Sequence, residues 1–359
     1  MRSRTAAILL SLAAALAACA AAPETLDNQS VTDHPDGDFI VIAHRGASGY
    51  LPEHTLAAAA MAHAMEADYI EQDVVMSRDG ELVVLHDLTL DATTDVAARF
   101  PGRQRADGHF YAIDFDLAEI RTLRVHERRE PDGELAFPGR FNAAGVDFRV
   151  PTLREEIALI QDLNRSTGRD VGVYVEPKSP AWHRAEGRDL LAAVVGVLAE
   201  FGYEGRDDKA FLQSFDFESL RELRFELGSD LKLVQLIGEN RWNESPSDFD
   251  YLRSEKGLAE IAAFADGIGP WLPQVIRVRG ADAGQPTGLV AAAHRQGLLV
   301  HAYTLRADQL PGTFSSLEAA VDLLVNRARL DGVFTDHPDR VIRVLRGEMA
   351  GAAQAVSPE

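Results

Sequence analysis

From Phe39 onward the chain alternates two hydrophobic rhythms. Short, nearly continuous apolar runs recur as FIVIAH, YIEQDVVM, VGVYVEPK, AFLQSF, KLVQLIG, DGIGPW, LLVHAYTL and DGVFTD. Among and between them lie segments such as HTLAAAAMAHAME, LREEIALIQDLN, DLLAAVVGVLAEFG and TGLVAAAHRQG. Their apolar positions return every three or four residues, and several stop at Gly, which is helical patterning. Runs that are apolar throughout, rather than at alternate positions, are strands buried on both faces; helices between them make such strands parallel. Eight strands of this kind predict an α/β fold, a closed TIM (β/α)8 barrel over residues 39–345. An open doubly wound sheet is the competitor. The glycine fingerprint expected after the first strand of its dinucleotide-binding form is missing here. After the second strand, the turn SRDG leads into ELVVLHD, the pattern of a hairpin-like return. The regular beat then breaks. Residues 88–150 hold one short helical pattern, DLAEIRTL, before the next clear helix. A segment of that length folds as a small insertion. Residues 346–359 are read as a C-terminal tail.

The N-terminus reads as a targeting segment. MRSRT is basic, and AAILLSLAAALAA is apolar but too short to span a bilayer. It ends in LAAC, residues 16–19, the pattern of a bacterial lipoprotein box, and Cys19 is the sole cysteine of the chain. The expectation is a signal peptide over 1–18, a lipid anchor on Cys19 and a polar tether over 19–38. That makes the protein exported, periplasmic, and an outer-membrane lipoprotein, since Ala rather than Asp follows the cysteine. An ordinary signal peptide cut near Ala20 to Ala22 is the plainer alternative. The net charge of −20 argues against nucleic acid as a partner, because phosphate neutralisation drives that binding. It also means that an anionic substrate needs local positive charge.

Barrel enzymes carry their chemistry at the C-terminal ends of the strands. The first strand ends in His44-Arg45, followed by Gly46, which lets the backbone turn away. The second contains Glu71 and Asp73, the third ends in Glu176-Pro177-Lys178, and the fourth, seventh and eighth end near Gln213, Tyr303 and Asp336. Glu71 and Asp73 are two apart, so on a strand they share a face. Two carboxylates in one space repel unless a proton or cation intervenes. Glu176 would add a third, and three carboxylates suit a hard divalent cation, Ca2+ or Mg2+. Salt bridges to nearby bases are the plainer reading of the pair; three acids at strand ends favour the cation. No Cys/His spacing points to zinc. His86, closing the returning run, would lie beside these acids, so His44 and His86 are candidates for general acid and base. A single histidine is more often structural, so His34, His54, His63, His109, His126, His183, His294, His301 and His337 receive no catalytic role. Pro177 marks the end of its strand, and Lys178 either contacts a phosphate or pairs with Glu176. There is no G-x-S-x-G elbow and no phosphate-binding loop of the G-x-x-x-x-G-K-[ST] kind.

HRGASGYLPEHT, EQDVVMSRDGELVVLHD, VEPKSP, QSF and DGVFTDHPD, in this order, resemble the glycerophosphodiester phosphodiesterase family, most closely its bacterial periplasmic members. YAIDFDLAEIRTL and GIGP add to the likeness, which runs from about Phe39 to about Leu345. The resemblance implies a TIM barrel with an insertion. It implies hydrolysis of glycerophosphodiesters, such as glycerophosphocholine and glycerophosphoethanolamine, to an alcohol and sn-glycerol 3-phosphate. It implies a divalent metal, Ca2+ first, on Glu71, Asp73 and Glu176, and an acid/base pair in His44 and His86. Arg45 and Lys178 would contact phosphate, with Gln213 and Tyr303 also binding substrate. His54 stands where many members have Asn, and Pro177 where an aliphatic residue is common. Two other functions compete: a phospholipase C- or D-like enzyme acting on intact lipid, which needs an apolar rim, and a surface binding protein without catalysis, which has no need of two histidines and three acids at strand ends.

Overall fold

The computed structural model describes residues 39–141 and 145–348. The signal peptide, Cys19 and the tether lie outside the described residues. The strands are β1 (Ile40–Ala43), β2 (Tyr69–Met76), β3 (Leu82–Val84), β4 (Gly172–Pro177), β5 (Ala210–Ser214), β6 (Lys232–Ile237), β7 (Gly267–Pro270), β8 (Leu299–Leu305) and β9 (Gly332–Thr335). All but β3 are parallel, and β1 pairs with both β2 and β9, which closes the barrel. The eight apolar runs are its eight parallel strands. The return after SRDG is β3, antiparallel to β2 with Val74 opposite Val84. Pro177 is the last residue of β4, where the lack of an N–H costs no ladder bond.

Several helices start where the sequence supplies a side-chain cap. Thr55 accepts the Ala58 N–H at the head of Leu56–Ala64. Thr152 and Glu155 form a capping box on Leu153–Thr167, which ends at Gly168 in the left-handed region. Such caps contribute about 1 kcal/mol each. The apolar faces of the helices pack on the outward side chains of the strands, for example Val41, Ile70, Val74 and Val173.

The inward side chains form a second core. Ile42, Tyr69, Tyr174, Phe211, Val234 and Phe334 plug the barrel. Tyr174 and Phe211 stack with centroids 4.7 Å apart, and the Tyr174 hydroxyl meets His301 Nδ1 at 3.0 Å. Burying each such side chain stabilises the fold by roughly 1.5–3 kcal/mol. This plug makes the barrel interior a floor rather than a pore, so ligands have access from the C-terminal mouth.

Residues 88–150 carry short helices (Val96–Arg99 and Leu117–Ile120) and isolated bridges such as Thr94 with Val125. Leu90, Val96, Phe110, Phe115, Ile120, Leu123 and Val125 pack on Val75, Val83 and Leu85 of the β2–β3 hairpin, giving this segment a small core of its own.

Candidate active site

Two-residue parity carries each strand from the aromatic floor to the chemistry above it. Ile42 leads to His44, Tyr69 to Glu71 and Asp73, Tyr174 to Glu176, Phe211 to Gln213, His301 to Tyr303 and Phe334 to Asp336. The parallel register sets Asp73 of β2 beside Glu176 of β4. The expected side chains His44, Arg45, Glu71, Asp73, His86, Glu176, Lys178, Gln213 and Tyr303 all line one cavity of about 180 Å³. Phe215, Trp242 and Trp271 complete it as an aromatic wall, with Trp242 and Trp271 edge to face at 5.1 Å.

The turn after β1 is tight. Arg45 and Gly46 both have positive φ, 57° and 79°. A Cβ on Gly46 would lie 2.8 Å from the Ala58 carbonyl carbon, so only glycine fits against the first helix. The turn aims the Arg45 N–H at Glu71 Oε2, 2.7 Å away. The Arg45 side chain then reaches Glu53 Oε1 at 3.0 Å and comes within 3.5 Å of Asp73 Oδ2.

The acids are buried and unequal. Burial, then the charge of Asp73, pushes the Glu71 carboxyl well above its usual range. Burial, only partly offset by Lys178, lifts Glu176 to about 8. Burial would lift Asp73 too, but Lys178, His86 and His54 hold it well below the usual carboxylate range. Lys178 is itself buried and gripped by Glu176 Oε1 at 2.8 Å, Glu244 at 3.3 Å and Asp73 at 3.8 Å. The pairing with Glu176 therefore exists, but inside the cavity and not on the surface. Buried acids crowded this closely repel one another, and together with the unpartnered buried Oε1 of Gln213 they make a donor set that fits a hard divalent ion.

One member of that set escaped the sequence reading. His54 is buried, and its Nε2 lies 2.8 Å from Asp73 Oδ2. His54, Glu71 and Asp73 present ligand atoms that all lie within 4.8 Å of one another and could hold a metal ion. Glu176 stands beside this group, engaged by Lys178. From sequence alone His54 receives no role, because a single histidine is more often structural.

Both histidines are backed by carboxylates. His44 Nδ1 lies 2.7 Å from Asp336 Oδ1, and His86 Nδ1 lies 2.6 Å from Asp87 Oδ1. With Nδ1 so engaged, Nε2 is the nitrogen left for a ligand. Burial and then Arg45 pull His44 down from 6.5 to about 4, against the pull of Asp336. Burial, Arg45 and Lys178 do the same to His86, again to about 4. The cavity thus holds two neutral imidazoles, three cations (Arg45, Lys178 and Arg306) and a cluster of acids, the equipment for moving protons around an anionic group.

The profile of the glycerophosphoryl diester phosphodiesterase family matches residues 44–340. A glycerophosphodiester phosphodiesterase from Haemophilus influenzae is 41% identical, with 97% of this chain and 100% of that protein covered. One of the same name from Treponema pallidum is 34% identical, covering 85% of this chain and 91% of that protein. A crystal structure from Silicibacter pomeroyi aligns with a TM-score of 0.66 at 26% identity, over 89% of this chain and 96% of that one. The matched span begins at the histidine that ends β1 and closes in the helix after β9: the chain belongs to the glycerophosphoryl diester phosphodiesterase family.

Proposed function

We propose that this cavity hydrolyses glycerophosphodiesters, such as glycerophosphocholine and glycerophosphoethanolamine, to an alcohol and sn-glycerol 3-phosphate, with His44 and His86 exchanging the protons. The observation that carries the reading is the pair of carboxylate-backed histidines in one cavity with Arg45, Lys178 and the buried acids. A phosphodiester resists attack because its oxygens are negative. Arg45 and Lys178 neutralise the charge that grows on them in the transition state. Glu71 and Asp73, with Glu176 or His54, would hold a divalent cation, Ca2+ first and Mg2+ second, which would supply Lewis-acid polarisation of the phosphoryl group.

The protein's own groups do the rest. Both imidazoles are neutral near neutral pH, so one takes a proton at Nε2 from the attacking hydroxyl or water. The other takes up a proton from solvent at Nε2 once the anionic substrate is bound and gives it to the leaving alkoxide, and the base returns its own proton to solvent after product leaves. The adjacent carboxylate stabilises each imidazolium as it forms. Gln213 and Tyr303 border the space where the glycerol moiety or the leaving alcohol sits.

His44→Ala and His86→Ala test the assignment. Each should lower kcat on glycerophosphocholine by about 10²–10⁴-fold with the fold intact by circular dichroism. Turnover at the wild-type rate in either variant would remove that histidine from the mechanism.

A further inference from the structure

Both histidines end on carboxylates, and both carboxylates end on arginines that no barrel strand supplies. Asp336 gives Oδ1 to His44, while its Oδ2 accepts Arg140 Nη2 at 2.7 Å and Arg306 Nε at 2.8 Å. Asp87 gives Oδ1 to His86, while its Oδ2 accepts Arg128 Nη1 at 2.7 Å. Arg128 closes the link with two bonds to Glu53, 2.7 Å and 3.0 Å, and Glu53 is also the partner of Arg45. Arg140, its side chain only 4% exposed, is clamped on its other side by two bonds to Asp308. Arg128 and Arg140 both come from the segment between β3 and β4 that interrupts the strand–helix beat.

We propose that Arg128 and Arg140 are positioning residues for the two histidines, so that the inserted segment sets the aim of both proton-transfer groups. The proposal rests on the acid/base reading of His44 and His86 given above. A carboxylate bonded through one oxygen turns about its own side-chain axis, and the imidazole turns with it. Bonding the second oxygen to a planar guanidinium stops that rotation. A misplacement of about 1 Å in a catalytic group costs about 10²-fold in rate. The two arms are not equal. Asp336 keeps Arg306 when Arg140 is lost, whereas Asp87 has, among the described contacts, only Arg128 on that oxygen. The barrel alone would therefore hold His44 better than His86.

The test is steady-state kinetics of the Ca2+-loaded protein on two substrates, glycerophosphocholine and the p-nitrophenyl ester of glycerol phosphate. Nitrophenolate leaves without a proton, so a defect in the general acid is masked on the second substrate, whereas a defect in the base shows on both. The variants are His44→Ala, His86→Ala, Arg128→Met, Arg128→Lys and Arg140→Met. Arg128→Met should lower kcat on glycerophosphocholine by about 10²-fold with KM little changed, and more than Arg140→Met does. Arg128→Lys should recover part of the loss. Each arginine variant should show the leaving-group pattern of its own histidine. If the histidine variants are inactive and the arginine variants keep wild-type kcat, or lose rate alike on both substrates whichever histidine they serve, the positioning role is overturned. If the histidine variants themselves turn over normally, the acid/base reading fails instead. Should Arg128→Met fold poorly, Arg128→Gln, which leaves Asp87 on His86 and removes the planar guanidinium, is held to the same outcomes.

Discussion

His54 shows how far a single side chain can sit from what its surroundings in sequence announce. It lies in a turn, at φ 57°, a left-handed conformation that Asn and His tolerate better than most residues. From there its ring enters the barrel mouth and bonds the acid that the strand pattern had already marked. His44, Glu71, Asp73 and Glu176 were legible because strand parity fixes where they point. His54 was not, because its position depends on the turn's dihedrals and on a contact across 19 residues. Arg128 and Asp87 escaped for the same reason, since their pairing spans 41 residues of irregular chain. Removing a group that ligates or orients a metal ligand commonly weakens binding by about 10–100-fold. His54→Ala should do this to Ca2+ binding by the metal-stripped protein, read by titration calorimetry. Unchanged affinity would show that the imidazole neither ligates nor orients the site.

At the scale of elements, the strands and helices followed from hydrophobic rhythm because each is buried in the way that its rhythm states. The inserted segment did not, since short pieces joined by single bridges leave no period to read. The helix Leu153–Thr167 carries a feature that rhythm also hides. Glu156 falls on its buried face, where Oε1 accepts the Gln72 amide at 3.2 Å and Oε2 has no partner. Burial lifts its carboxyl from 4.5 to about 8. Between those values the folded chain keeps a proton that the unfolded chain releases, so stability falls as pH rises through that window and is level below it. Glu156→Gln removes the need for the proton. Denaturant titrations of both proteins at about pH 5 and about pH 8 should show a gain for the variant at the higher pH, up to roughly 4 kcal/mol, and a flatter profile. Parallel profiles would show that Glu156 is ionised in the fold.

For the whole molecule, charge and access set the terms. Against a net charge of −20, Arg45, Lys178 and Arg306 give the plugged barrel's open end the local positive charge that an anionic diester needs. Among the described residues no helix is long and apolar enough to cross a membrane. An exported lipoprotein anchored at the outer membrane through Cys19 remains our proposal from LAAC. Cys19→Ala should move the protein from the membrane fraction to the soluble one, and a variant that stays with the membranes would contradict the anchor. The central claim is that buried acids holding a divalent ion and two imidazoles together cleave a glycerophosphodiester. Its most direct measurement is release of sn-glycerol 3-phosphate by the purified protein from glycerophosphocholine, with intact phosphatidylcholine and sphingomyelin alongside. The account predicts release from glycerophosphocholine alone, abolished by a chelator and restored by Ca2+. Release that survives complete chelation, or cleavage of the intact lipids in preference to glycerophosphocholine, would contradict it.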